Sequence, residues 1–183
     1  MYIEEVFDYN LIPKVQEAIQ KNVPCCLYFS PTKTTAFVGY KQHINVNQAQ
    51  QYDIDIFNLN NEGGVIISDK GSLIIGAFFD EANDFQSFLA SKICQKIMDK
   101  GYKAIIDGND IIVDEEFKVA SFSSRRFGKK LFGSFQISFT VNMDLIQSLC
   151  TKTMKKIPRG LNHYGISFDE IFYIFKDTIN YFL

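Results

Sequence analysis

A lysine stands in a run that otherwise reads as a β-strand: Phe117-Lys118-Val119-Ala120-Ser121-Phe122, preceded by an acidic turn and a strand starting at Asn109-Asp110. An ammonium group in a partly dry pocket can stabilise charge on carbonyl or phosphate oxygens. On an edge strand the same residue guards against edge pairing and lays its alkyl stem over Phe122. Plain alternation puts Lys118 on the face of Ala120 and Phe122, and on these residues alone both readings stay open. Few other residues compete for chemistry. His43 and His163 are the only histidines, and neither adjoins a nucleophile motif of the kind that Ser or Cys hydrolases need. The Gly63-Gly64 pair in "NNEGGV" lacks both the P-loop pattern and the three-glycine dinucleotide fingerprint. Cys25, Cys26, Cys94 and Cys150 match no zinc spacing and read as buried free thiols.

The elements that must position Lys118 are legible from periodicity. Leu11, Val15, Ala18 and Ile19 predict a helix over residues 10 to 21, and strands follow at Cys25 to Phe29 and Ala36 to Gly39. The polar stretch 43 to 53 predicts a short helix, and Ile54 and Ile56 an edge strand. Residues 60 to 79 read as a glycine turn, a strand, a tight Asp69-Lys70-Gly71 turn and a return strand. A helix over 84 to 100 carries Phe85, Phe88, Leu89, Ile93 and Ile97 as one stripe, with Asn83 as cap, Gln86 at the capping-box position and Gly101 as stop. Strands are predicted at 102 to 106, in the two arms of the Asp110 to Phe122 hairpin, and from Leu131 to Val141. Helices follow from about Asp144, and from Ser167, where "SFDE" is a capping box. Strands in adjacent hairpins predict α+β with a largely antiparallel mixed sheet flanked by helices.

Composition narrows the class. A chain of 183 residues with 46% hydrophobic and 22% charged residues suits one globular core. No apolar run is long enough to cross a bilayer, and the acidic start "MYIEEVFDYN" lacks the form of a secretory signal. A soluble, cytoplasmic protein is expected. With 19 basic against 21 acidic residues there is no electrostatic case for nucleic acid or membrane as partner. Arg125, Arg126, Lys129 and Lys130 around Gly128 read as a solvated hairpin tip.

Five segments in order, "FVGYKQ", "EGGVIISDKGSL", "DGNDIIV", "FKVASF" and "FGSFQISFTVNMDLI", resemble the catalytic domain of lipoate-protein ligases, in the superfamily of biotin-protein ligases and octanoyltransferases. The resemblance spans roughly residues 25 to 180. It implies a biotin/lipoate-ligase-like fold; from the chain's length and its end at residue 183, residues 1–183 are expected to form a single domain with no accessory C-terminal domain. The resemblance further implies Lys118 as the catalytic lysine. Gly63, Gly64, Val65, Asn109, Asp110, Ala120, Gly133 and Ser134 fall on substrate- and nucleotide-binding positions, and Asp110 on a Mg²⁺ ligand.

The implied reaction uses ATP and Mg²⁺ to activate a lipoate- or octanoate-type carboxylic acid, then passes it to a lysine of an acceptor protein domain. Several positions depart from the family pattern. Tyr40, Asn58, Leu59 and Gly108 stand where the family has arginines, Glu62 where it has the first glycine, and Leu131-Phe132 where it has paired histidines. These losses carry an alternative expectation, a catalytically degenerate ligase fold that binds a small carboxylate or a protein. No cysteine lies between 105 and 122, which favours ligation over transfer through a thioester.

Overall fold

The computed structural model describes residues 2–6, 11–58, 64–80, 85–151, 154 and 156–182. Two sheets carry the molecule. The larger joins β1 (Tyr2–Glu5), β2 (Cys25–Phe29), β6 (Leu73–Asp80), β10 (Lys130–Ile137), β9 (Phe117–Phe127), β8 (Asp110–Val113) and β7 (Ala104–Asp107) in that order, with the short β11 (Ile157–Pro158) also paired to β9. The smaller has the order β4 (Asp55–Asn58), β3 (Thr35–Val38), β5 (Val65–Ser68). Pairing is antiparallel except for β1 with β2, β11 with β9, and β3 with β4. The mixed, largely antiparallel α+β expectation therefore holds. It follows from hairpins such as β7–β8 and β9–β10, whose tight turns sit at Gly108 and Gly128.

Helices cover both faces of the large sheet. On one side α3 (Phe85–Asp99) and α5 (Phe168–Phe182) bury Leu89, Ile93, Ile97, Ile171, Phe175 and Ile179 against Val113, Phe135 and Ile137. On the other, α1 (Leu11–Lys21) packs Leu11, Val15 and Ala18 onto Leu27, Ile74 and Phe78. The small sheet shares a third cluster with α2 (Val46–Gln51) and α4 (Met143–Leu149), through Ala36, Val38, Ala49 and Leu149. The capping box at the start of α5 forms as predicted, with the Ser167 N–H donating to Glu170 at 2.9 Å. Among the described residues, no helix is long and apolar enough to cross a membrane.

Three expectations change. The acid-rich N-terminus, to which the sequence reading gave no element, supplies the parallel strand β1. The last long strand ends at Ile137 instead of Val141, because Ser138 and Phe139 hand their carbonyls to the N–H groups of Leu161 and Asn162. Gln86 is buried and donates its amide across to Ser123 O at 2.8 Å and Ser134 O at 3.2 Å. Its proposed partner Asn83 lies outside the described residues. β9 is an interior strand, flanked at Lys118 by β8 on one side and β11 on the other, so the edge-guard reading of Lys118 does not apply.

Candidate active site

The approach to Lys118 is set by a bulge. Asp110 pairs with Ser121 and Ile111 with Ala120, but Ile112 pairs with Lys118, leaving Val119 as an extra residue in β9. Directly paired residues share a face. Lys118 therefore lies on the side of Ile112, Asp110 and Ser121, not with Ala120 and Phe122 as plain alternation predicts. Val119 and Ala120 both turn into the α3/α5 core, as does Phe122, whose ring meets Phe135 at 5.1 Å.

The side that Lys118 reaches is the wall of a cavity of about 320 Å³ between the two sheets. The small sheet contributes Gly64, Val65 and Ile67, and the large one Asp110, Lys118, Ala120, Ser121, Gln136 and Ser138. Gln136 ties the sheets together by donating its amide to Ile67 O at 3.0 Å. Val141, Ile146 and Met154 give the cavity apolar wall, and Lys156 adds a second ammonium. The site thus pairs a polar, charged side with a hydrocarbon one, a division that suits an amphipathic ligand.

Asp110 is held by Ser121, whose hydroxyl donates to its Oδ1 at 2.7 Å. Lys118 Nζ stands 3.7 Å from the same oxygen, too far for a hydrogen bond and close enough for charge balance. Lys118 is thereby left with donors to offer a ligand. Asp69, at the tight turn after β5, accepts from Thr34 Oγ1 at 2.6 Å and from the N–H groups of Lys70 and Asn142. Its carboxylate fixes the turn and the start of α4. The half-buried Cys150 also lines the cavity, and burial pushes its thiol up from the ordinary value, so it is a poor nucleophile at neutral pH.

Lys118, Asp110, Gly64, Val65 and Ala120 are brought together on this one cavity. Asn109 is not; it is exposed at the tip of the β7–β8 hairpin, where Gly108 takes the positive φ of 60° that the turn demands. Gly133 and Ser134 also lie elsewhere. A Cβ at Gly133 would stand 2.5 Å from the Gln86 side chain, so this glycine makes room for a core amide. Ser134 bonds to Ser123 through their hydroxyls, 2.8 Å apart, across β9 and β10. Gly63, Leu59 and Glu62 lie outside the described residues. Tyr40 and Asn58, standing where the family has arginines, are exposed.

Sequence reasoning missed Ser121, Gln136, Ser138, Ile146, Met154 and Lys156. One signal was available. Phe135-Gln136-Ile137-Ser138-Phe139 alternates strictly between apolar and polar residues, the pattern of a half-buried strand whose polar side lies away from the apolar core. Among the described residues no group of three or more His, Cys, Asp or Glu side chains could hold a metal.

Residues 10–168 match the family model of the lipoyl protein ligase A/B catalytic domain. The chain belongs to that family. Its fold is similar to P. falciparum LipL1 in complex with lipoate, with a TM-score of 0.77 at 12% identity, covering 99% of this chain and 61% of that one. This chain thus spans less than two thirds of that relative's length. It is also similar to a bi-partite lipoate protein ligase solved with its E2 lipoyl domain from Thermoplasma acidophilum (TM-score 0.73, 13% identity, 97% of this chain and 80% of that one). A lipoate-protein ligase A bound with ATP aligns at TM-score 0.72 and 15% identity over 98% and 84% of the two chains. A comparison with curated proteins finds no significant match.

Proposed function

We propose that residues 1–183 act as one ligase domain that activates a lipoate-like carboxylic acid with ATP and passes the acyl group to a lysine of an acceptor protein domain. The observation that carries this reading is the meeting of Lys118, Asp110 and the Gly64-Val65 backbone, drawn from separate strands, on one cavity with an apolar wall. Membership of the family supports it, as do relatives solved with lipoate, with ATP and with a lipoyl domain.

In the first half-reaction a carboxylate oxygen of the acid attacks the α-phosphorus of ATP, and the bond to pyrophosphate breaks. The Lys118 ammonium donates to the oxygens on which charge gathers, the acyl carbonyl and the α-phosphate. Gly64, where an added Cβ would meet no protein atom within 4 Å, leaves its backbone open to a ligand. In the second, the acceptor amine attacks the acyl carbon and AMP departs, with Lys118 again stabilising the tetrahedral oxyanion. The hydrocarbon tail lies along Val65, Ile67, Ile146 and Met154. A Mg²⁺ ion would be held by Asp110, whose carboxylate oxygens suit a hard cation. It would supply charge neutralisation, with Ser121 orienting the carboxylate.

A second reading, a binding module without activation chemistry, is favoured by exposed Tyr40 and Asn58 at positions where the family has arginines. One experiment separates the two. Purified protein is incubated with ATP, Mg²⁺ and lipoate or octanoate, with and without a lipoyl acceptor domain. Pyrophosphate release and a rise in acceptor mass support ligation; ligand-induced stabilisation without either supports the binder. No release and no acceptor modification overturns the ligase.

A further inference from the structure

We propose that Lys156 is a second phosphate-binding cation of this cavity, held by Asp107 until a nucleotide displaces that carboxylate. The proposal rests on the reading of the cavity as a nucleotide site and names the residue that completes it.

Among the described residues lining the cavity, Lys118 and Lys156 are the cations besides any charge on His43, and none is an arginine. The small-sheet wall, from Gly64 to Ile67, contributes no charged side chain. A triphosphate carries several negative charges, and the second lysine on the cavity wall comes from the segment after α4.

Topology delivers it there. β11 runs parallel to β9 with Ile157 beside Phe117 and Pro158 beside Lys118, which brings Lys156 alongside the start of the Lys118 strand. Each lysine is matched to one acid of a single hairpin. Lys118 faces Asp110 at 3.7 Å and Lys156 binds Asp107 at 2.6 Å, while Asp107 and Asp110 are themselves paired across β7 and β8.

The two acids are not equivalent. Asp110 lines the cavity and is fixed by Ser121, whereas Asp107 lies on the outermost strand, outside the lining, with 54% of its side chain exposed. Water can solvate Asp107 as soon as the lysine leaves it, and an ion pair this exposed is held weakly. The hairpin thus keeps both ammonium groups neutralised at the cavity wall and yields the Lys156 one to a phosphate.

Calorimetric titration of inorganic pyrophosphate and of ATP with Mg²⁺ tests this, together with the KM for ATP in the activation assay. Lys156→Gln is expected to weaken both ligands tenfold or more. Asp107→Asn, which frees the lysine, is expected to tighten pyrophosphate about threefold, a gain that loss of structure cannot imitate. Lys92→Gln, which breaks an ion pair to Asp177 on the far side of the α3/α5 layer, serves as control and should change neither.

If Lys156→Gln matches the control, or Asp107→Asn weakens binding, the proposal is overturned. Should the wild type bind pyrophosphate through Lys156 yet form no adenylate, the ligase reading fails and the anion site stands. Turnover of ATP with a KM that Lys156→Gln leaves unchanged sinks the site and spares the ligase. A wild type that binds neither ligand overturns both.

Discussion

Lys118 stands directly opposite Ile112, although Ser121, three residues on, stands opposite Asp110, only two residues back. That mismatch of one residue is the bulge at Val119, and it decides which side of the sheet receives the ammonium. Without it Lys118 would point with Ala120 into the packed α3/α5 layer, where an unpaired charge is costly. Bulges commonly re-aim a side chain beside a functional site. Here the bulge moves a lysine from the core side of a central strand to the cavity side, within reach of Asp110.

Replacing Lys118 by Met keeps the alkyl stem and removes the donors. Adenylate formation should fall about 10²- to 10³-fold, the usual loss for one well-placed charge-stabilising donor. Its ion pair is loose and 31% exposed, so stability should shift by less than about 1 kcal/mol. Pyrophosphate release and a melting curve on the same sample check both; a parallel loss of the two would make Lys118 a structural residue.

Gly133→Ala should behave in the opposite way. The new methyl collides with buried Gln86, and overpacking of this kind costs about 1 to 3 kcal/mol. Because Gly133 does not line the cavity, the KM for the acid should stay within about twofold of wild type, on the argument that distant sites act independently. Chemical denaturation and steady-state kinetics read the two effects separately.

The fold was largely legible because its signals are local: stripes on α3 and α5, tight turns at Gly108 and Gly128, and a capping box at Ser167. β1 escaped because four residues pairing in parallel with β2 leave no turn signal. The cavity wall was legible where the family resemblance names a residue, as at Lys118 and Asp110, which both line it. It was illegible where packing decides. Gly133 reads as a ligand-binding position until its contact with Gln86 is seen, and Lys156 reaches the cavity only through the non-local β11–β9 pairing.

The cysteines make a prediction about access. Cys25, Cys26 and Cys94 are buried, and burial lifts Cys94 to about 11 and Cys26 well above its usual value. Cys150 is half-buried on the cavity wall. Iodoacetamide at pH 8 should therefore add one adduct to the native protein, at Cys150, more slowly than to a free thiol since its own value is also raised. Octanoate should slow the addition further. Peptide mass spectrometry locates the adduct, and labelling first at Cys94 would refute the assignment of layers.

Glu170 gives a pH dependence whose sign is fixed. The Lys96 ammonium at 2.7 Å, followed by the Ser167 N–H, holds its carboxyl down from an ordinary 4.5 to about 2. A depressed acid contributes stability that is fully present above its unfolded value and is lost as pH falls through the folded one. The contribution from Glu170 should therefore be complete above pH 4.5 and fade towards pH 2. Because the side chain is about one-third exposed, solvent screening limits it to about 1 kcal/mol. Glu170→Gln should lower the melting temperature at pH 7, where Lys96 and Lys100 lose their shared partner and the α5 cap loses its charge. Repeating the melts at pH 3 and at pH 2 should show the gap between wild type and variant closing. A gap that stays constant from pH 7 to pH 2 would mean that the carboxylate charge does not stabilise this helix start.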